Sequence, residues 1–129
     1  MSKNIKIFKT GLIPTKFVFT YGVKAYSKYL KSELDTEDEI NSAGCTSVYL
    51  DNTTGVHSIV IAVVKSRRFE NDLAFKSIIM HEISHATTYA MERMRIKDDE
   101  FRSYLLQWLY KEIMPFIEKL TTKGIKWVR

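Results

Sequence analysis

The sequence predicts an α+β domain: a small antiparallel sheet packed against a long helix and a second, C-terminal helix. Three observations lead there. Two runs rich in β-branched residues flank the turn-forming segment Asp51-Asn52-Thr53-Thr54-Gly55. Apolar residues recur at helical spacing from about residue 71 to about residue 94. A second helical pattern follows, with Asp98, Asp99 and Glu100 in its first turn, where the helix dipole favours acids.

In chain order, residues 15–20 (TKFVFT) read as a short strand after Pro14. Residues 22–34 read as a helix, with Val23, Tyr26, Tyr29, Leu30 and Leu34 at apolar spacing. The acidic stretch that follows is loop as far as Gly44. Residues 46–50 and 57–65 form the antiparallel hairpin. The long helix opens at Asn71 or Asp72, both residue types that cap N-termini. A turn at 95–97 leads into the second helix, which is expected to bend or restart at Pro115, where no backbone N–H is available. No element is assigned to residues 1–14 or 121–129.

A chain of 129 residues with 45% hydrophobic residues fits one packed domain spanning 1–129. The longest apolar run, residues 58–64, is strand-sized and far short of the ~18–20 residues that cross a bilayer. The basic N-terminal segment lacks the apolar stretch of a signal peptide. The single Cys45 cannot form an internal disulfide, which suits a reducing compartment, so a cytoplasmic location is expected. The formal charge of +5 is unevenly spread: residues 1–32 hold seven lysines and no acid, and residues 33–39 hold five acids. A basic third can attract a polyanion. No nucleic-acid motif is present, however, and aromatics do not alternate with the cations as a stacking groove requires. The lysines therefore read as a solvated face, and a basic nucleic-acid accessory role ranks behind the readings below.

The segment with the most chemistry is His81-Glu82-Ile83-Ser84-His85. Histidines at i and i+4 share one helix face and can reach a single tetrahedral Zn²⁺. Glu82, next to the first histidine, can serve a metal-bound water as general base. At about 100° per residue from His81, His85 falls near 40°, whereas Phe75, Ile79, Ile83, Ala86, Ala90 and Met94 gather around 180°. The apolar stripe thus lies opposite the histidines, leaving their face free for a cleft. The competing reading is two histidines and an acid on a solvated face with no metal.

A catalytic zinc site needs a third protein ligand. Glu92 shares the histidine face but lies about 10 Å beyond His85 along the axis. Glu100 is the first choice, on a second helix folded back on the first, with Asp99 as the alternative and Asp98 within the same turn. An ideal hairpin turning near Lys97 leaves Glu100 roughly 10–15 Å short of the histidines, so the first helix would have to end early or the helices cross steeply. Tyr104, four residues after Glu100, is a secondary candidate for polarising a carbonyl, with packing on the first helix as its ordinary role. His57, at the start of a strand, reads chiefly as a surface residue and secondarily as an alternative ligand or oxyanion donor. Leu105, Trp108, Leu109, Ile113 and Phe116 follow helical spacing and are expected in the core.

The HExxH segment followed by an acid on the next helix resembles the gluzincin branch of the zincins. More closely, His81-Glu-Ile-Ser-His-Ala86 with the segment Asp99-Glu-Phe-Arg-Ser-Tyr-Leu-Leu-Gln-Trp-Leu109 is similar to small HExxH proteins of tailed bacteriophages. The likeness extends back through the hairpin to Cys45. Ser103 stands where that pattern has Ala, and Arg95 where Gly often marks the helix end. The resemblance implies a minimal zincin-like fold, a His81, His85, Glu100 ligand set for Zn²⁺, and a substrate-holding strand before the active helix. It also implies the host cytoplasm as the location.

Three functions follow as expectations. The first is a zinc-dependent metallopeptidase with Glu82 as base, pairing an extended peptide along strand 57–64 by β-addition. The second is a non-catalytic, zinc-stabilised phage protein that binds a host or virion protein. The third is the nucleic-acid accessory role. No membrane association is expected, and oligomeric state is not encoded in these patterns.

Overall fold

The computed structural model describes residues 4–9, 11, 13–40, 42–50, 54–64 and 72–122. They form an α+β fold with strands β1 (Ile5–Lys9), β2 (Thr15–Tyr21), β3 (Gly44–Leu50) and β4 (His57–Val63). Its helices are α1 (Val23–Glu33), α2 (Asp72–Met94) and α3 (Asp99–Thr122). Asn71, Lys65 and residues 1–3, 51–53 and 123–129, for which the sequence raised caps, turns or tails, lie outside the described residues.

The sheet is mixed and not purely antiparallel, with order β1-β2-β4-β3. β1, to which the sequence reading assigned no element, pairs antiparallel with β2 from Ile5↔Thr20 to Lys9↔Lys16. β2 and β4 pair parallel, Thr15↔His57 through Tyr21↔Val63. β3 and β4 form the expected antiparallel hairpin. The crossover explains the mixture: α1 covers one face after β2, and the hairpin then brings β4 back beside β2 in the same direction.

The two central strands are buried on both sides. Phe17, Val18 and Phe19 in β2, and Ile59, Val60, Ile61 and Val63 in β4, are fully enclosed. Such unbroken apolar runs are what a strand between two covered faces requires. On one face Val18, Val60 and Ala62 pack with Ala25, Tyr26, Tyr29 and Leu30 of α1. On the other, Phe17, Phe19, Ile59, Ile61 and Val63 meet α2 and α3. Three ring contacts seat the helices on β2. Phe17 tilts against Trp108 at 6.0 Å, Phe19 meets Phe116 edge-on at 5.7 Å, and Tyr21 meets Phe75 edge-on at 5.6 Å.

On the α1 side, Tyr26 Oη and Tyr49 Oη are 2.8 Å apart, and Tyr49 donates to Asp38 Oδ2 at 3.1 Å. This ties α1, the acidic loop and β3 together. Burial, more than any other cause, pushes both phenols above their ordinary pKa, so they remain neutral donors.

α2 runs without a break over 23 residues, its stripe of Phe75, Ile79, Ile83, Ala86 and Ala90 buried as anticipated. It ends in a Schellman closure: Ile96 N–H donates to Met91 O at 3.0 Å and Arg95 N–H to Glu92 O at 3.2 Å, with Arg95 at φ 55°. Asp98 Oδ1 caps α3 by accepting from the N–H groups of Glu100 (2.8 Å) and Phe101 (3.3 Å). Leu105, Leu109, Ile113 and Ile117 hold α3 on the core.

Pro115 lies inside α3, which does not restart there. Pro115 and Lys111, whose carbonyl the ring deprives of a partner, are both exposed, so water can serve that carbonyl. Buried Ile113, Met114 and Ile117 on either side keep the helix seated. Replacing Pro115→Ala restores the helical hydrogen bond. It is expected to raise stability by roughly 1–3 kcal/mol, read as a higher midpoint in urea denaturation. An unchanged or lower midpoint would show that the ring makes a contact the helix needs.

Candidate functional site

The rotation of α2 follows from its buried stripe, and that rotation decides where the HExxH side chains go. With Ile79, Ile83 and Ala86 on the core, His81 and His85 stand exposed on the outer face. Their Nε2 atoms converge to 3.1 Å, with ring centroids 4.7 Å apart and the planes near perpendicular. Tyr89, one turn further on, stacks on His85 at 6.0 Å and 18°. The histidine face is therefore an open pair braced on one side by an aromatic ring.

Glu82 lies on the flank between the histidines and the core and is only 6% exposed. It meets the start of β3. Thr46 Oγ1 is 2.7 Å from Glu82 Oε1 and 3.1 Å from the main-chain oxygen of Glu82. Its single proton serves one of these at a time. Oε2 has no hydrogen-bond partner among the described residues. Opposite Glu82 the strand carries Gly44, and the approach is close. A Cβ at that position would lie 3.0 Å from Glu82 Cγ, from Glu82 Oε2 and from Ile78 Cγ2.

Among the described residues, the ladder next to this site ends at β3, where Ser42 Oγ donates to Gly44 O at 2.6 Å. Val64 N–H donates to Ala43 O at 2.9 Å, which places the pair 43/64 in hydrogen-bonded phase. Counting along the register, 45/62, 47/60 and 49/58 share that phase, so Gly44, Thr46 and Val48 turn their N–H and C=O groups outward. Among the described residues no strand pairs with that side of β3.

Strand 57–64, expected to pair with a peptide, is β4, and both its edges are already taken, by β2 and β3. That expectation is corrected: a continuous apolar run marks an interior strand, and the available edge beside α2 is β3. His57 pairs with Leu50 and Thr15, four residues along the ladder from Thr46↔Ile61, about 13 Å away. It is not part of this site.

The acids at the start of α3 are not gathered to the histidines either. Among the described residues no group of three His, Cys, Asp or Glu side chains is placed to hold a metal ion. Asp99 and Glu100 stand exposed in the first turn of α3, and Asp98 is engaged as its cap. The geometry explains this. α2 continues nine residues past His85, about 14 Å, before the chain turns. What reaches back is the longer Arg102, whose guanidinium donates to Thr88 Oγ1 at 2.7 Å and Ser84 Oγ at 3.1 Å. Tyr104 is 63% exposed. Thr46, Gly44 and Arg102 were not anticipated. The hydroxyl pair Ser84 and Thr88, one turn apart on α2, was the available sign of a polar helix contact.

No family model, curated protein or solved structure matches the chain. No helix among the described residues is long and apolar enough to cross a membrane.

Two substitutions test how tightly Glu82 is held. Gly44→Ala drives a methyl into Glu82 and Ile78 and is expected to cost about 1–3 kcal/mol. Thr46→Val removes the donor to Glu82 and is expected to cost about 1–3 kcal/mol. In a Glu82→Ala background most of the Thr46→Val cost should vanish, and urea denaturation of the four proteins of that cycle measures it. Additive effects would mean that the two side chains do not interact.

Proposed function

We propose that this chain is a metal-dependent hydrolase of the HExxH type, a zinc metallopeptidase. The observation that supports it most is the convergence of His81 and His85 at 3.1 Å on an exposed helix face. Two imidazoles bound to one tetrahedral Zn²⁺ at ~2.0–2.1 Å would hold their nitrogens about 3.3 Å apart. The pair fits half of such a shell. Glu100 and Asp99 remain the proposed source of a further ligand, and joining the pair would require the first turn of α3 to approach α2. Bound there, zinc would supply Lewis acidity and a water activated near neutral pH.

The chain's own residues supply the rest. Thr46 holds Glu82 through Oε1 and leaves Oε2 as the proton acceptor. The burial of Glu82 keeps bulk water from its flank. The outward N–H and C=O groups of Thr46 and Val48 offer main-chain pairing to an extended peptide, on the strand that touches Glu82.

One observation favours a second reading. A buried Glu bonded to a strand hydroxyl is also a tie between helix and sheet, which a non-catalytic, zinc-stabilised binding protein would need just as much.

The two are separated by metal content and turnover. The expected result is one zinc per chain by elemental analysis, with most of it lost in His81→Ala. Glu82→Gln should keep the zinc and lower peptide hydrolysis on the order of 10²–10⁴-fold. Proteome-wide cleavage profiles compare wild type with Glu82→Gln. Zinc retained by His81→Ala would remove the metal reading. Identical profiles, with zinc kept, would leave the binding protein.

A further inference from the structure

A cleft of about 530 Å³ opens where α3 folds back on α2. Met91 and Ile96 form an apolar wall, and Arg95, Lys97 and Arg102 bring three cations against the single acid Glu92. Two features of this cleft go beyond what joining the helices requires.

The first is the state of Arg102. Its guanidinium is half-buried, and both its partners, Thr88 and Ser84, are neutral hydroxyls. Among the described residues no carboxylate lies within ion-pair distance of it. A cation taken partly out of water without an anion is unfavourable unless a ligand supplies the charge. The second is the identity of residue 95. The Schellman closure puts it at φ 55°, where glycine is favoured because it has no Cβ to strain. The dipole of α2 welcomes a cation near its last turn, and Arg93 already provides one from an unstrained position. Capping alone does not call for an arginine at this strained position, and the Arg95 side chain lines the cleft.

We infer that this cleft binds a carboxylate carried on an apolar body, the class that includes the free C-terminus of a peptide with an apolar last residue. The guanidinium groups of Arg102 and Arg95 match the planar, two-oxygen geometry of a carboxylate. Met91 and Ile96 take the apolar part. The inference rests on these groups alone and holds whether or not the histidine pair binds metal.

Amide chemical-shift titrations of the full chain test it with three probes: N-acetyl-leucine, N-acetyl-leucinamide and inorganic phosphate. N-acetyl-leucine is expected to give saturable shifts at Met91, Arg95 and Ile96. The amide lacks the charge and phosphate lacks the apolar body, and each should bind about tenfold more weakly or worse. Arg95→Gly relieves the backbone, so its melting temperature should equal or exceed that of wild type while N-acetyl-leucine affinity falls about tenfold. That opposite movement separates a ligand-binding arginine from a structural one. The inference is overturned by equal binding of acid and amide, or by phosphate binding as tightly as N-acetyl-leucine. It is equally overturned if no saturable shift appears at the cleft, or if Arg95→Gly binds like wild type.

Discussion

The seating of α2 on the sheet is the constraint on which the site depends. A helix has one rotation at which its apolar stripe is covered, and here Phe75, Ile79, Ile83, Ala86 and Ala90 define it. Once that stripe is down, the histidines have to point outward and Glu82 has to fall on the flank facing β3. Gly44 completes the arrangement by letting the strand come close enough for Thr46 to reach the carboxyl group.

The sheet in turn depends on being covered twice. β2 and β4 have no polar face to show to water, so α1 is as necessary as the α2–α3 pair. The tyrosine and aspartate contacts that tie α1 to β3 lie on the opposite side of the strand from Glu82. Odd-numbered residues of β3 serve the α1 layer and even-numbered ones serve α2, as the alternation of a strand requires. One short strand thus connects both layers of helices.

Much of this was legible from local pattern. The hairpin, α1, α2 and the outward histidine face follow from periodicities of two and 3.6 residues that the chain carries in plain form. What local pattern could not carry was pairing between distant strands. β1 is a five-residue strand whose Ile5-Lys6-Ile7 alternation is too brief to stand out in a basic segment. The parallel join of β2 to β4 is a property of the crossover, not of either strand. The unbroken run Ile59–Val63 did hold the information that β4 is interior, and reading it as an edge overlooked that a free edge seldom needs both faces apolar. The burial of Glu82 was hidden for a related reason. A helical wheel marks residue 82 as a flank position, and only the placement of β3 makes that flank an inside. That α3 continues through Pro115 depends on the exposure of that turn, which a one-dimensional reading does not include.

The two margins of the sheet are guarded unequally. β1 carries exposed Lys6 and Lys9, charges that discourage another chain from stacking alongside. β3, with the sequence GCTSVYL, has no charge and no proline, and its outer margin is unpaired among the described residues. Natural sheets ordinarily protect such a margin, because it is a template for aggregation. A margin of this composition, if unoccupied, makes the concentration of the free protein a hazard in itself. Crowded copies can then pair along β3, and any occupant of that margin would also act as a solubiliser of the protein.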